Sequence, residues 1–449
     1  MLSHRAHIAA ISLVFVASLL SACEPFPDKG APPFPLSQPR PTAVPPTATP
    51  EPTRPTPVRV TPLISTPVAT PTAELPDDGW LERAGLGPHA APEEDAEALR
   101  RGALDEGLVM LYSDSSRGLT ALEAMVDVHP GMAVEGYTWS AGDIALRLGE
   151  DAKRGSSAAD VFLVADPMRT HDLASRGWLW PYVPNDLGEV LPEARVGGLP
   201  VHHWSALMVV SGGGAAPSSV DTWWDLTRPE WAGRVALSDP LVDDRTLYLL
   251  ATVAQHSDDM AEAYRAEFEQ EPPLDDDCAD AGCLWIRSLL ANQPVILHGD
   301  ADVSRWVGEG GETRLGLCGY EQYIKVRRGE LSFAPLWKLA PTAGLRWPAA
   351  IAIVDRAPHP QAAKLAVRWL YGDSSGLRGY APWFEAGYYP ARSDVPDPSG
   401  AVPRDRLRER LWDVDAAALA ALLPAFRNRI AGYLGRPLTG DALTEGSSS

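Results

Sequence analysis

The 449-residue chain is short of positive charge, with 39 Lys and Arg against 59 Asp and Glu, for a formal charge of −20. That shortage excludes a general nucleic-acid binder, whose phosphate contacts need clustered Lys and Arg, and it disfavours broad adhesion to anionic lipid. Cysteine is scarce too, at four residues, and no His is spaced to complete a zinc site with them. The catalytic strings are missing: no Gly-x-Ser-x-Gly elbow, no Gly-x-x-x-x-Gly-Lys phosphate loop, no His-Glu-x-x-His pair. No apolar segment reaches the roughly 20 residues of a membrane-spanning helix. Proline, by contrast, is abundant at 43 residues, too many to be spread evenly through a globular fold.

The proline gathers near the start. Residues 1–22 read as a signal peptide, with Arg5 in a polar opening and an apolar run from Ile8 to Leu20. Leu-Ser-Ala-Cys then matches the bacterial lipobox, which marks Cys23 as a lipidated first residue of the mature chain. Residues 23–77 are rich in Pro and Thr. They lack backbone donors and apolar surface, so they are expected to be a disordered tether. The globular part is expected over 78–449.

There the apolar periodicity switches between strand and helix. Leu108–Tyr112, Ala133–Tyr137 and Val161–Val164 read as strands, with helices after Ser116 and Ser140. Such alternation means parallel strands joined by right-handed crossovers. A second block, Val235–Ser238, Thr246–Gln255, Val295–Leu297, Ala301–Val307 and Leu315–Cys318, repeats the logic. The chain then returns through the strand Ala349–Val354. The expected class is α/β with two lobes joined by crossing strands: lobe 1 over about 106–206 plus 345–449, lobe 2 over about 207–344. The end, Arg404–Tyr433, is expected to pack as helices on the first lobe. His202 and His203, neighbours on a strand, should point to opposite faces. Trp223, Trp224 and Trp231 are expected in the core, and Cys278 and Cys283, across a short loop, are expected to be bonded outside the cytosol.

Four strings, "GLVMLYSDSSRGLTALEAMVDVHPGMAVEGYTWSAGDIALRL", "AADVFLVADPMRTHDLASRGWLWPYVP", "VDTWWDLTRPEWAGRVALSDP" and "PAAIAIVDRAPHPQAAKLAVRWLYG", occur in order over roughly residues 106 to 395. Together they resemble extracellular solute-binding proteins of ABC importers, most of all the iron(III)-type branch. The resemblance implies a periplasmic-binding-protein fold of type II. It also implies a membrane-tethered receptor that hands a small molecule or ion to a permease and performs no catalysis. It is expected to be a monomer with no nucleic-acid partner and no certain cofactor. A sensory or structural lipoprotein of the same fold is the alternative.

In open parallel sheets ligands sit at the carboxyl ends of the strands, where helix N-termini present free N–H groups. The residues so placed are Ser113, Ser115, Ser116, Arg117, Ser140, Asp166, Ser238, Asp239, Arg245 and Thr246. Arg117 and Arg245 could clamp a carboxylate or phosphate through paired N–H bonds. Ferric iron as cargo would need anionic oxygen. The iron-type relatives carry an adjacent tyrosine pair after the "GE…GL" segment, and here Tyr320 and Tyr323 are split by Glu321-Gln322. Tyr320, Glu321 and Tyr323 are the candidate iron ligands, and Tyr388-Tyr389 reads as structural. An anionic or polar organic solute is the other candidate cargo.

Overall fold

The strand Leu108–Ser113 is apolar along its length and lies between two parallel neighbours, Ala133–Thr138 and Val161–Val164. Leu108–Ser113 and Val161–Val164 are largely buried and need no polar alternation, whereas Ala133–Thr138 at the sheet edge stays largely exposed. The helices that cover them start where a short polar side chain takes up a free N–H: Ser115 accepts from Arg117 N, Ser140 from Asp143 N, and Asp166 from Arg169 N. This places three helix N-termini at the carboxyl edge of the first half of the sheet.

The computed structural model describes residues 79–436, except 92, 192–194, 214–216, 218, 311–312 and 373–376. All of these belong to the unit Ala73–Ser449. The signal peptide, Cys23 and the whole tether lie outside the described residues. No helix among the described residues is long and apolar enough to cross a membrane.

Two long strands, Leu199–Gly212 and Gly344–Val354, run antiparallel to each other through the middle of the sheet. On one side Gly344–Val354 pairs with Val161–Val164. On the other, Leu199–Gly212 pairs with Leu315–Gly319, which is parallel to Val235–Ser238 and, beyond it, Val295–Leu297. The chain thus crosses from one three-strand parallel block to another and back. Each block has its own core. Leu111, Phe162, Ile351 and Trp369 belong to the first, and Leu237, Leu250, Trp285 and Trp347 to the second. This is the two-lobe architecture expected from the alternation.

Trp223 and Trp224 are fully buried and Trp231 nearly so, all in the second core. Cys278 and Cys283 are joined by a disulfide, and Cys318 is a buried free thiol. Two expectations need adjusting. The helix Ala416–Tyr433 packs on both lobes: it lies against the helix Pro167–Ser175 of the first and buries Leu419, Phe426 and Ile430 in the core of the second. His202 and His203 do not point to opposite faces. The register with the neighbouring strand skips a residue at this point, and the resulting bulge brings their Nδ1 atoms within 2.8 Å.

Candidate functional site

The helix Asp244–Gln255 opens at the carboxyl edge of the second lobe, capped by Asp243 through Arg245 N. Its first turn carries Arg245 toward the crossing strands. The guanidinium lies 5.1 Å above the Trp347 ring, and Trp347 sits on the returning strand. Nη1 of Arg245 reaches two carboxylates, Glu321 Oε1 at 2.6 Å and Asp300 Oδ2 at 2.9 Å. Glu321 is held in turn by Ser205 Oγ at 2.8 Å, and Asp300 by Gly319 N at 2.9 Å. One atom of the guanidinium therefore serves two acids.

The opposite edge of the guanidinium is unused. Nε and Nη2 are out of reach of solvent and meet no hydrogen-bond acceptor among the described residues, although the side chain as a whole is 23 % exposed. The next residue, Thr246, is fully buried and its Oγ1 also lacks a partner. A buried donor left without an acceptor costs about 1–3 kcal/mol. Nε and Nη2 form the fork that takes a carboxylate or phosphate side-on. Burial works to lower the pKa of Arg245, but Glu321 and Asp300 hold it above the ordinary value. The charge that an anion would meet is therefore permanent.

From the first lobe, Asp114 lies within electrostatic reach of Arg245 and of Asp166. Trp347 Nε1 donates to Ala165 O at 2.5 Å, and Ala165 N donates to Asp114 Oδ2 at 2.9 Å. Burial, with Asp166 adding to it, pushes the Asp114 carboxyl up to about 6. Burial likewise raises Asp300 to about 6 against the pull of Arg245. In Glu321 the balance tips the other way: burial opposes the charge, but Arg245 and Ser205 outweigh it and lower its pKa. The lobes also touch directly. Arg169 of the first lobe pairs with Asp166 at 2.7 Å and crosses to Asp244 at 2.8 Å, and Asp244 is shared with Arg427 at 2.6 Å.

At the rim, Arg117 binds Pro382 O and pairs with Glu385 Oε2 at 3.0 Å. Arg328 takes the other oxygen of Glu385 at 3.2 Å. The Tyr388 ring lies beneath Arg117 at 4.9 Å, and burial followed by the nearby Glu321 charge pushes its phenol up to about 12.

Of the residues singled out from the sequence, the structure brings together Arg245, Thr246, Glu321 and Asp166. Ser238 supports them from behind, reaching Asp300 Oδ1 at 3.3 Å. Ser115 and Ser140 are occupied as helix caps, Ser113 accepts from Ser115 N, and Ser116 is exposed. Arg117 is spent on Pro382 and Glu385. Asp239 is not at the cleft edge of Arg245. It pairs with Arg436 through both oxygens, at 2.8 and 2.9 Å, beside a separate recess of about 410 Å³ lined by Ile296, Leu297, His298 and Leu434.

Tyr320 turns away from the cleft. It is 1 % exposed, its hydroxyl accepts from Val402 N at 3.0 Å, and burial pushes its phenol up to about 12. Tyr323 packs against Tyr320 and Phe333. Glu321 alone of the proposed iron set faces the site, and its two oxygens already serve Arg245 and Ser205. These residues do not fit a ferric ion as an oxygen cluster. Among the described residues, no group of three or more His, Cys, Asp or Glu is placed to hold a metal ion.

Sequence reasoning did not single out Asp114, Ser205, Asp300 or Trp347, and it read Tyr388 as structural. Asp114 lay inside a loop recognised as facing the ligand, and Asp300 sits at the start of the helix Asp300–Gly308, so both carried a positional signal. Ser205 and Trp347 stand on the crossing strands and carried none.

With this geometry in view, residues 120–375 match the family model described as bacterial extracellular solute-binding protein, and the chain belongs to that family. No curated protein matches by sequence. Among solved structures, the chain is similar to iron-bound HitA from Pseudomonas aeruginosa, at 19 % identity and a TM-score of 0.53, over 76 % of this chain and 99 % of that one. The apo ferric ion-binding protein A of Pasteurella haemolytica follows at 16 % identity and 0.53, over 74 % and 99 %. A Trichodesmium protein solved with iron and citrate ligands gives 16 % and 0.51, over 73 % and 99 %. At such identities the likeness is one of fold, the two-lobe binding-protein fold.

Proposed function

We propose that this extracellular solute-binding protein captures a small carboxylate-bearing solute between its lobes and delivers it to an ABC permease. It would do so as a monomer tethered to the cell membrane through lipid on Cys23 and the Pro- and Thr-rich segment that follows. The observation that carries the reading is the Nε–Nη2 edge of Arg245, buried and meeting no acceptor among the described residues. A ligand touched by both lobes favours the closed arrangement by differential affinity, and the permease would recognise that arrangement.

Ferric iron, bound in two of the solved structures named above, is less well suited here. Tyr320 is committed to Val402 and Glu321 to Arg245. A thermal-shift screen of carboxylates, oxyanions and ferric citrate tests the reading. A true cargo at 100 times its dissociation constant adds about 2.7 kcal/mol. That gain is expected for carboxylates with the wild type and is lost in Arg245→Gln. Stabilisation by ferric citrate that survives Arg245→Gln would contradict the carboxylate reading. Mass spectrometry of the N-terminal peptide would show a lipid-modified Cys23, and an unmodified Cys23 on the mature protein would remove the tether.

A further inference from the structure

An anion on Arg245 leaves the cleft unbalanced. Arg169, Arg245 and Arg427 are set against Asp114, Asp166, Asp243, Asp244, Asp300 and Glu321, three cations to six carboxylates. The rim adds Arg117 and Arg328 around Glu385, outside the cluster. A purely anionic solute would add negative charge to a wall that already has too much, in a desolvated space where like charges repel strongly.

The acids are not equivalent. Asp166 and Asp244 lie on Arg169, and Asp300 and Glu321 lie on Arg245. Asp114 has no cation at its oxygens among the described residues. Its Oδ2 accepts Ala165 N, and Arg245 acts on it from across the cleft. The burial that raises its pKa is a cost that a cationic neighbour would remove. Asp114 belongs to the first lobe and the open edge of Arg245 to the second. Between them lies Trp347, under the Arg245 guanidinium on one side and hydrogen-bonded to Ala165 on the other.

Building on the carboxylate reading of Arg245, we propose that the solute is a small zwitterion. Its carboxylate docks on the Nε–Nη2 edge of Arg245, and its protonated amine pairs with Asp114 across the Trp347 ring. Each end of such a molecule engages a different lobe, so neither lobe alone holds it and closure is coupled to occupancy. Its net charge is zero, so it fills the unpaired donor and the unpaired acid without deepening the charge imbalance.

The test uses the full-length protein and matched probes in calorimetric titrations: L-alanine, β-alanine and 4-aminobutyrate, then propionate, butyrate and succinate, which lack the amine, and ferric citrate. At least one amino acid is expected to bind more than about tenfold tighter than its amine-free partner, the loss expected for one charge-assisted contact. Asp114→Asn keeps a side-chain oxygen for Ala165 N and is expected to erase that preference while leaving the amine-free acids unharmed. Arg245→Gln is expected to remove both kinds of binding. A melting curve of each variant without probe checks that it is folded. If propionate, butyrate or succinate binds the wild type as tightly as the amino acids, or if Asp114→Asn keeps the preference, the zwitterion is overturned and the carboxylate reading stands. If ferric citrate binds and no carboxylate does, or if no probe binds, both are overturned.

Discussion

On the first lobe the cleft is faced by acids: Asp114, held by a backbone N–H, and Asp166, a helix cap tied to Arg169. On the second lobe it is faced by a guanidinium, Arg245, with two acids on one nitrogen and none on its outer edge. The sheets are built alike, with parallel strands whose carboxyl ends meet the cleft, so the fold does not cause the difference. It comes from the residue placed just inside the helix that follows a strand. In the first lobe that helix begins with Pro167 after Asp166, and in the second with Asp244-Arg245-Thr246. A shared scaffold presents opposite charge to the two ends of a bound molecule, and the unsatisfied groups are the ones on which the lobes differ.

That contrast can be broken most severely at Arg245. Arg245→Gln should cost about 2–5 kcal/mol of solute binding, more than thirtyfold, because it removes the fork and leaves Glu321 and Asp300 facing each other without a cation. Titration calorimetry reads this directly, and retained affinity would show that the second lobe is not the anionic anchor. The second-lobe disulfide comes next. Cys278→Ser should lower stability by about 2 kcal/mol, as expected for a short closed loop, and denaturant melts check it.

Asp114 tests the other lobe and has a definite sign. Its folded pKa, about 6, is above the ordinary 3.8, so the folded chain binds this proton more readily than the unfolded chain. Its contribution to stability is full below pH 3.8 and is lost as pH rises through 6. Asp114→Asn should therefore raise the stability of the solute-free protein by about 1–2 kcal/mol at pH 8, with the gain vanishing by pH 4. Paired melts at the two pH values measure it, and an equal effect at both would show that Asp114 is not the strained acid of the first lobe. The smallest effect belongs to the bridge between lobes. Arg169→Ala removes a partly exposed pair to Asp244 and should cost about 0.5–1 kcal/mol, seen as a small rise in the radius of gyration without solute.

The alternation of strands and helices was legible because the inner strands are apolar and buried and several of the helices that follow them begin with a capping Ser or Asp. Arg245 and Thr246 were legible for the same reason, since the position of a helix start after a strand fixes which end of the sheet it faces. Tyr320 was misjudged as a ligand candidate. The turn that follows Gly319 rotates successive side chains, so Glu321 enters the cleft while Tyr320 enters the core. Trp347 and Ser205 depend on how the crossing strands pair, a long-range fact that no local pattern carries. The histidine pair depended on a bulge that exists only relative to the partner strand.

The most direct measurement is a crystal structure of the protein grown with the tightest-binding probe. A carboxylate should lie about 3 Å from both Nε and Nη2 of Arg245, with the lobes closed around it. Density for the solute elsewhere, with the Arg245 edge still facing no ligand, would contradict the account.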